Sequence, residues 1–470
     1  MNARKHAAVI GGSIAGLWAA RVLSDHFERV TVIDRDHFPE APEARRGVPQ
    51  GRQVHVLLVR GQQILDQLFP GITAELEADG VSMIRWTEDT YSYGTNGKWS
   101  APFPFGYRTM ACSRILLEWH IRRRLAQDPK IRFVEGRQVT GLLTTADNAQ
   151  VTGVQMSATG AERASVGEET LEADLVVDAS GRESRAPDWL TALGYAAPEE
   201  VVLDSHVGYA TRFYQPTPDF QARWKSLLIQ SRNGNTARSG LIYPIENGQW
   251  MALLVGVNVE LPADDESYLE FARNLPQPDF YDAIKDAEAL SPVYRYQRTA
   301  NQRRHYEALE RLPESFILMG DAVCAFNPVF GQGMSVSGME AVMLDEELKR
   351  EEDAGFAQRF QKRVGKIIAA PWQLATSEDA RNLKPGETVN LGTRLLRFYM
   401  DHLLGMVSTD PQVGRAFFDV MHLVKPPTVL FSPGVALKVF GSMLTNRHPL
   451  MPPASQQKAR SASEQRQSLT

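Results

Sequence analysis

The chain has few cysteines, little net charge and no long apolar run. Only Cys112 and Cys324 occur among its 470 residues, so a disulfide framework is not expected and a reducing cytoplasm fits the composition. The formal net charge of −5 gives no electrostatic reason to expect nucleic-acid binding. No apolar run approaches the length of about 20 residues that spans a bilayer, so stable membrane insertion is not expected. The composition favours a globular, cytoplasmic protein.

Motifs that would supply a metal site or a side-chain nucleophile are also missing. The sequence has no His-Glu-x-x-His pair, no paired Cys-x-x-Cys and no Gly-x-Ser-x-Gly elbow, and its ten histidines are scattered. We therefore predict no metal site and no side-chain nucleophile.

The N-terminal segment has a glycine-rich turn between two short apolar runs that are typical of strands. A dinucleotide-binding βαβ unit needs glycine where the chain turns tightly, where backbone approaches the pyrophosphate, and where the helix packs on the strand. Gly11 and Gly16 occupy the first and third of these positions, and the small Ser13 occupies the second. Asp34 ends the second apolar run, where an acidic residue binds a ribose 2′-hydroxyl. The segment predicts a dinucleotide site.

A second glycine-rich segment follows the apolar run at 316–319. Gly320-Asp321 ends that run, and Pro328 and Gly331-Gln-Gly333 precede a helical pattern that begins at Met334. Free backbone N–H groups and the positive end of a helix make an anion site. The carboxylate of Asp321 can bind sugar-like hydroxyls. The two glycine-rich segments together predict two halves of one nucleotide site.

In this order the segments resemble the class A flavoprotein monooxygenases, the p-hydroxybenzoate hydroxylase-like FAD enzymes, over roughly residues 7–345. Gly11–Gly16 with Asp34 resembles the family's ADP-binding fingerprint. Ser113-Arg114, before a leucine-rich helix, resembles the segment whose arginine reaches FAD. Gly320-Asp321 with Gly331–Gly333 resembles the second FAD motif, in which the aspartate binds the ribityl chain and the glycine backbone faces the flavin ring.

The resemblance implies a set of FAD-contacting residues and a closer subfamily. The runs Arg45–Gln50, Pro244–Trp250 and Asn327–Val329 are similar to bacterial epoxidases that act on polyketide polyenes in polyether biosynthesis. For Arg46 and Arg52 a solvated turn is an equal alternative to contact with FAD. The implied cofactor-binding residues are Gly11, Ser13, Ile14, Ala15, Gly16, Asp34, Arg35, Arg46, Gly47, Val48, Arg114, Gly320, Asp321, Pro328, Gly331, Gln332, Gly333 and Met334.

The implied fold class is α/β, with a Rossmann-like FAD-binding domain, an inserted β-sheet substrate domain and a helical C-terminal region. Trp, Tyr and Phe are frequent in residues 83–107 and suit an apolar pocket, although core packing explains most of them. The predicted boundaries are 1–80, 111–195 and 301–350 for the FAD-binding domain, 81–110 and 196–300 for the substrate domain, 351–447 for the C-terminal helices, and 448–470 for a disordered tail.

The activity that the resemblance implies is oxygen transfer. Reduced FAD would react with O2 to give a flavin C4a-hydroperoxide, which would epoxidise or hydroxylate an apolar, polyketide- or terpenoid-like secondary metabolite. NAD(P)H would be the reductant. His55 and His206 are the histidines expected nearest to flavin or substrate, and a structural or surface function is favoured for both.

Two departures from the family pattern bear on the chemistry. The family commonly has Asp-Gly after the strand that ends here at Val177, and its aspartate helps to place FAD and NAD(P)H; this chain has Ser180-Gly181. Reduction through a separate flavin reductase is therefore an open alternative. Cys324 stands where the second motif usually continues with His, and packing is favoured over reactivity for this thiol.

Three other functions remain as alternatives. An FAD-dependent reductase or dehydrogenase would act on a double bond without O2. A flavin-dependent halogenase would call for a Trp-x-Trp-x-Ile-Pro element, and no two of the eight tryptophans here lie two residues apart. A non-enzymatic flavin redox sensor would leave the β insertion without a purpose.

Overall fold

The computed structural model of the chain describes residues 4–160, 167–204, 206–233, 236–350, 354–379 and 391–445. The segment 448–470, for which a tail is predicted, lies outside these residues. No helix in the described ranges is long and apolar enough to cross a membrane. The chain divides into two compact units, which take residues 4–82, 110–204 and 298–379 (unit 1) and residues 83–109, 206–297 and 391–445 (unit 2) of the described ranges.

The strands are numbered along the chain. They are β1 (His6–Ile10), β2 (Arg29–Ile33), β3 (Ser82–Ile84), β4 (Thr90–Tyr93), β5 (Thr109–Ala111), β6 (Ile131–Val134), β7 (Arg137–Thr144), β8 (Val151–Ala158), β9 (Glu169–Glu172), β10 (Leu175–Asp178), β11 (Glu200–Leu203), β12 (Val207–Gln215), β13 (Ser226–Asn233), β14 (Thr236–Pro244), β15 (Trp250–Val257), β16 (Glu288–Ala289), β17 (Tyr294–Tyr296), β18 (Asn301–Arg304), β19 (Phe316–Leu318) and β20 (Cys324–Ala325).

The helices are numbered in the same way. They are α1 (Ile14–His26), α2 (Val59–Leu68), α3 (Ile72–Ala78), α4 (Trp86–Asp89), α5 (Arg114–Leu125), α6 (Ala186–Ala192), α7 (Asp265–Arg273), α8 (Asp279–Ile284), α9 (Gly333–Leu348), α10 (Phe356–Asp379), α11 (Leu391–Val407), α12 (Pro411–Met421) and α13 (Pro433–Thr445).

Unit 1 is built on a parallel five-stranded sheet with the order β19-β10-β1-β2-β6. Every residue of β1 and β10 is buried, as expected for central parallel strands that are covered on both faces. The long helix α9 packs against α1, α2 and α10. The predicted βαβ unit is confirmed, because β1, α1 and β2 follow one another and the two strands pair in parallel.

Two smaller sheets complete unit 1. Strands β7, β8 and β9 form one antiparallel sheet, and β11, β18 and β20 form a second antiparallel sheet. Helix α5 begins where the sequence places it, since the hydroxyl of Ser113 accepts the N–H of Leu116 and caps its first turn. Helix α2 begins at Val59, directly after Leu58 in extended conformation.

Unit 2 contains a largely antiparallel sheet with the order β16-β12-β15-β14-β13-β4, to which β17 adds by pairing with β12. Among the strand pairs that the structure describes in this sheet, only β4 and β13 run parallel. A core that includes Tyr268, Phe271 and Phe280 covers the sheet with α7 and α8. The last helices, α11, α12 and α13, share a separate apolar core around Leu403, Val413 and Val439.

Candidate functional site

Four loop segments of unit 1 start at one edge of the parallel sheet, and two of them are the predicted glycine-rich segments. β1, β2, β10 and β19 are paired up to their carboxyl ends. The residues that follow these strands are Gly11, Asp34, Ala179 and Met319. Ligands of open α/β sheets bind outside the carboxyl ends of the strands. The two glycine-rich segments therefore lie along the edge where a dinucleotide would bind.

The first glycine-rich turn leaves no space for side chains at its two ends. Gly11 has a φ of +99°, and a Cβ atom on it would lie 2.6 Å from the carbonyl oxygen of Ala179. A Cβ on Gly16 would overlap the carbonyl oxygen of Gly11. The turn thus requires glycine at both positions, for the tight turn and for the close approach of α1 to β1.

Asp34 is held against this turn. Its carboxylate accepts the N–H of Gly12 at 2.7 Å and the N–H of Asp36 at 2.8 Å, and the Arg45 guanidinium lies 3.3 Å away. Only 8% of the residue is exposed. A carboxylate has about four acceptor positions, so about one remains for a ribose hydroxyl.

Arg45 connects three carboxylates beneath the turn. Its side chain is 4% exposed and lies 2.6 Å from Glu118, 3.3 Å from Asp34 and 3.5 Å from Asp36. It also donates to the carbonyl of Gly12 at 3.2 Å. Burial alone would lower the pKa of the guanidinium, but Glu118 and Asp34 outweigh burial and raise it. Arg45 is therefore a fixed cation that orients the acidic groups of the site.

Arg114 is oriented by two neutral partners. Its Nη2 donates to the Ser13 hydroxyl at 2.8 Å, and its Nη1 lies 3.1 Å from His55 Nε2. His55 Nδ1 lies 2.9 Å from the carbonyl oxygen of Gln53, which can only accept, so Nδ1 carries the proton and Nε2 accepts from Arg114. Burial, followed by the charge of Arg114, lowers the pKa of His55 to about 3, which keeps this imidazole neutral.

One donor of Arg114 is left over. Its Nε is buried and has no hydrogen-bond partner in the described part of the chain. A buried charged donor without a partner is costly, and a ligand oxygen would satisfy it. This atom therefore identifies the start of α5 as a position where an anionic or carbonyl oxygen would bind.

The second glycine-rich segment lies against the first. Gly320 has a φ of +64°, and a Cβ on it would come within 2.6 Å of the Cβ of Ala15. The next residue, Asp321, points towards the start of α9, since a Cβ on Gly333 would be 3.9 Å from its carboxylate. Burial raises the pKa of Asp321, and the charges of Arg182 and Arg114 oppose that rise.

Gln332 precedes α9 and has a buried amide with unused hydrogen-bonding capacity. The residue is 1% exposed, and neither its side-chain nitrogen nor its oxygen has a partner among the described residues. Native proteins rarely bury an amide in this state. A ligand edge with both a donor and an acceptor, such as the pyrimidine edge of a flavin, matches this side chain.

The other predicted cofactor residues divide into two groups. Ile14, Val48 and Met334 lie at or before the first residues of helical turns, and the N–H of Gly47 donates to Asp36 at 2.8 Å. Arg35 and Arg46 are exposed, as is Pro328, and Arg35 lies 3.6 Å from Glu183. Ile14 and Met334 thus lie at the starts of α1 and α9, next to the two glycine-rich segments, whereas Arg35, Arg46 and Pro328 are on the surface.

The segment that departs from the family pattern also lies at this edge. Ser180 is exposed, and its N–H is held by the buried carboxylate of Asp178 at 2.9 Å. A Cβ on Gly11 would lie 3.0 Å from the Cα of Ser180. The residue that replaces the family aspartate is thus a neighbour of the dinucleotide turn.

The thiol of Cys324 is packed in the interior. The residue is 2% exposed, and burial, followed by the charge of Glu340, raises its pKa well above the usual value. A thiol in this state is a poor nucleophile. This supports packing as its function.

Sequence reasoning missed Arg45 and Glu118. The sequence signal for Glu118 is its position four residues after Arg114, on the same face of α5. The carboxylate of Glu118 accepts from the Ser13 hydroxyl at 2.7 Å and is 3.7 Å from Arg114. Arg45 could not be distinguished from Arg46 by local pattern, because distant carboxylates determine which of the two turns inwards.

The residues at this edge fit an FAD molecule. Glycines without space for a side chain flank the path of a pyrophosphate, and a carboxylate stands at each end. The Arg114 Nε and the Gln332 amide, which lack hydrogen-bond partners among the described residues, lie near the glycine-rich segment that contains Asp321. This set of groups defines a dinucleotide-binding flavoprotein of the α/β class.

Comparisons with known proteins agree with this class. The profile of the FAD binding domain family matches residues 4–354. Protein Rv3254 of Mycobacterium tuberculosis is 33% identical over 424 residues, covering 88% of this chain and 89% of that protein. Kynurenine 3-monooxygenase of Salinispora arenicola is 25% identical over 404 residues and 81% of both chains.

Solved structures show the same fold at low identity. The flavoprotein/dehydrogenase from Cytophaga hutchinsonii has a TM-score of 0.64 and 15% identity, covering 92% of this chain and 95% of its own. A triple mutant of the flavin-dependent brominase Bmp2 has a TM-score of 0.63 and 14% identity, with coverages of 94% and 98%. The chain belongs to the FAD binding domain family, among flavoproteins of the class A monooxygenase type.

Proposed function

We propose that this protein is an FAD-dependent monooxygenase that inserts one atom of O2 into an apolar, polyketide- or terpenoid-like metabolite by epoxidation or hydroxylation. The observation that carries the proposal is the sheet edge with its buried, unsatisfied Arg114 Nε and Gln332 amide, in a chain of this family. The similarity to a kynurenine 3-monooxygenase supports oxygen transfer as the reaction class. The narrower epoxidase assignment rests on the runs Arg45–Gln50, Pro244–Trp250 and Asn327–Val329.

Bound FAD would supply the oxygen chemistry, since its reduced form activates O2 with two electrons from NAD(P)H, and the second oxygen atom leaves as water. The chain's own contribution is binding and orientation. Asp34 and Asp321 would bind hydroxyls at the two ends of the cofactor, and Arg114 would donate its free Nε–H. The N-terminus of α9 would stabilise negative charge on the reduced ring.

The test is a reaction of the anaerobically reduced protein with O2 in a stopped-flow instrument. An oxygenase should show an absorbing transient before the oxidised flavin spectrum returns. A return in a single phase, with and without an apolar polyene probe, would favour a reductase instead. Free FAD under the same conditions is the control.

We further propose that the electrons arrive through a separate flavin reductase. The support is Ser180, which stands beside Gly11 where the family commonly has a carboxylate that helps to place NAD(P)H. Loss of one charged hydrogen-bonding group costs about 1.5–3 kcal/mol, so NAD(P)H alone should reduce the flavin of the natural protein about ten- to a hundredfold more slowly than that of a variant with the carboxylate restored.

The matched variants for this point are Ser180→Asp and Ser180→Asn. Ser180 is exposed, so either side chain can be accommodated. The Asp variant should accelerate direct reduction by NAD(P)H, and the Asn variant should not. Equal rates with and without the reductase in the natural protein would contradict the proposal.

A further inference from the structure

Glu340 of α9 is a buried carboxyl group. It contacts the turn at Gly320, where the second glycine-rich segment begins and lies against the first. It is 1% exposed, and one carboxyl oxygen accepts the N–H of Gly320 at 2.6 Å. The other oxygen is buried and has no hydrogen-bond partner among the residues that the structure describes. An ionised carboxylate normally uses both oxygens, so this environment suits a protonated acid.

The turn that Glu340 holds joins both halves of the site. Gly320 adopts its positive φ directly against Ala15 of the first segment, and Asp321 follows it. The hydrogen bond from the N–H of Gly320 to Glu340 therefore fixes the position of Asp321 relative to α9. Glu340 accepts the backbone N–H of Gly320, so it acts on the site through the turn.

The groups around Glu340 are either acidic or apolar. Burial raises its pKa to about 8; the hydrogen bond from the Gly320 N–H opposes that rise, and the neighbouring carboxyl of Asp321 adds to it. The buried thiol of Cys324 is also near it, and Arg303 and Glu307 act on that thiol in turn. From α1 and α2, Trp18 and Ile64 face the adjoining Gly338 of α9.

The basic and titratable groups that approach α9 bind further along the helix. His26 of α1 is 2.8 Å from Asp345, and Arg363 of α10 is 2.7 Å from Glu347. The charges of Arg182 and Arg114 act on Asp321. Ionisation of Glu340 would thus place a second negative charge beside Asp321, in a site that binds a pyrophosphate.

We propose that Glu340 is a positioning residue: it accepts the N–H of Gly320, and only its protonated form keeps a second negative charge away from Asp321, so that the Gly320–Asp321 turn binds FAD tightly. Proton loss above neutral pH then weakens FAD binding by repulsion from Asp321 and from the cofactor phosphates. This inference rests on the proposed FAD site and deepens it, because it makes cofactor retention dependent on pH.

The first experiment measures the Kd of FAD by fluorescence titration of the cofactor-free protein between pH 6 and 9.5. The natural protein should lose affinity above pH 8, approaching tenfold per pH unit for one proton. Glu340→Gln, which stays neutral, should keep the low-pH affinity throughout. Glu346→Gln, which changes an exposed carboxyl on the same helix, should follow the natural protein.

The second experiment does not use FAD and measures thermal unfolding of the cofactor-free proteins. In the folded state Glu340 stays protonated up to about pH 8, whereas in the unfolded chain it ionises near pH 4.5. The fold therefore loses relative stability as pH rises from about 5 to 8. The midpoint of Glu340→Gln should rise relative to the natural protein across this range. Glu340→Met, which also lacks the titrating group, serves if the Gln variant does not fold.

The outcomes separate the two ideas. An unchanged pH dependence in Glu340→Gln, in affinity or in stability, would overturn the function of Glu340. Failure of the natural protein to bind FAD at any pH would overturn the FAD site, while the unfolding series would still decide whether Glu340 holds a proton.

Discussion

Asp321→Ala should be isolated as a folded, colourless protein that binds FAD about ten- to a hundredfold more weakly than the natural chain. The carboxylate follows the Gly320 turn and points towards the first residue of α9. Loss of a hydrogen bond to a charged group costs about 1.5–3 kcal/mol, which corresponds to this range in Kd. The measurement is the flavin-to-protein absorbance ratio after purification, followed by FAD titration.

Two further variants test why Asp321→Ala should lose affinity for FAD. Asp321→Asn keeps a hydrogen-bond acceptor and loses the charge, so it should retain more FAD than the Ala variant if hydroxyl binding is the function. Asp188→Ala removes a largely exposed carboxyl on α6 of the same unit and should stay yellow. Full FAD occupancy in Asp321→Ala would refute the function assigned to Asp321.

Local patterns in the sequence predict much of the dinucleotide edge. Glycine at positions 11 and 16 is required by backbone that lies within a few ångströms, and the spacing to Asp34 follows from one helix and one strand. Ser113 as the cap of α5 is equally local. These features are predictable because each depends on residues close in sequence.

The features that could not be predicted depend on residues far apart in sequence. Arg45 turns inwards because Glu118, 73 residues later, supplies a buried carboxylate, while the adjacent Arg46 stays exposed. His55 is neutral because burial and Arg114 act on it together. Glu340 lies on a helix that is buried on most faces, so its apolar periodicity did not reveal a polar contact.

Arg45→Met should destabilise the folded protein by about 3–5 kcal/mol, the usual cost when one partner of a buried ion cluster is removed. Methionine keeps the volume, but it leaves Glu118, Asp34 and Asp36 as carboxylates that repel one another. With an unfolding entropy of about 2.1 cal/mol/K per residue, a chain of 470 residues shifts by about 1 °C per kcal/mol, so the unfolding midpoint should fall by roughly 3–5 °C. The measurement is thermal unfolding at pH 7 in the absence of added FAD.

Arg46→Met is the matched control, because it changes the neighbouring residue, which is exposed, by the same substitution. Its stability should stay within about 0.5 kcal/mol of the natural protein, as for most surface changes. Adding Glu118→Gln to Arg45→Met removes one of the unpaired charges and should recover part of the lost stability. Equal midpoints for the two Arg variants would show that the cluster around Arg45 does not stabilise the fold. A larger loss of FAD affinity in Arg46→Met than in Arg45→Met would instead restore Arg46 as the residue that contacts the cofactor.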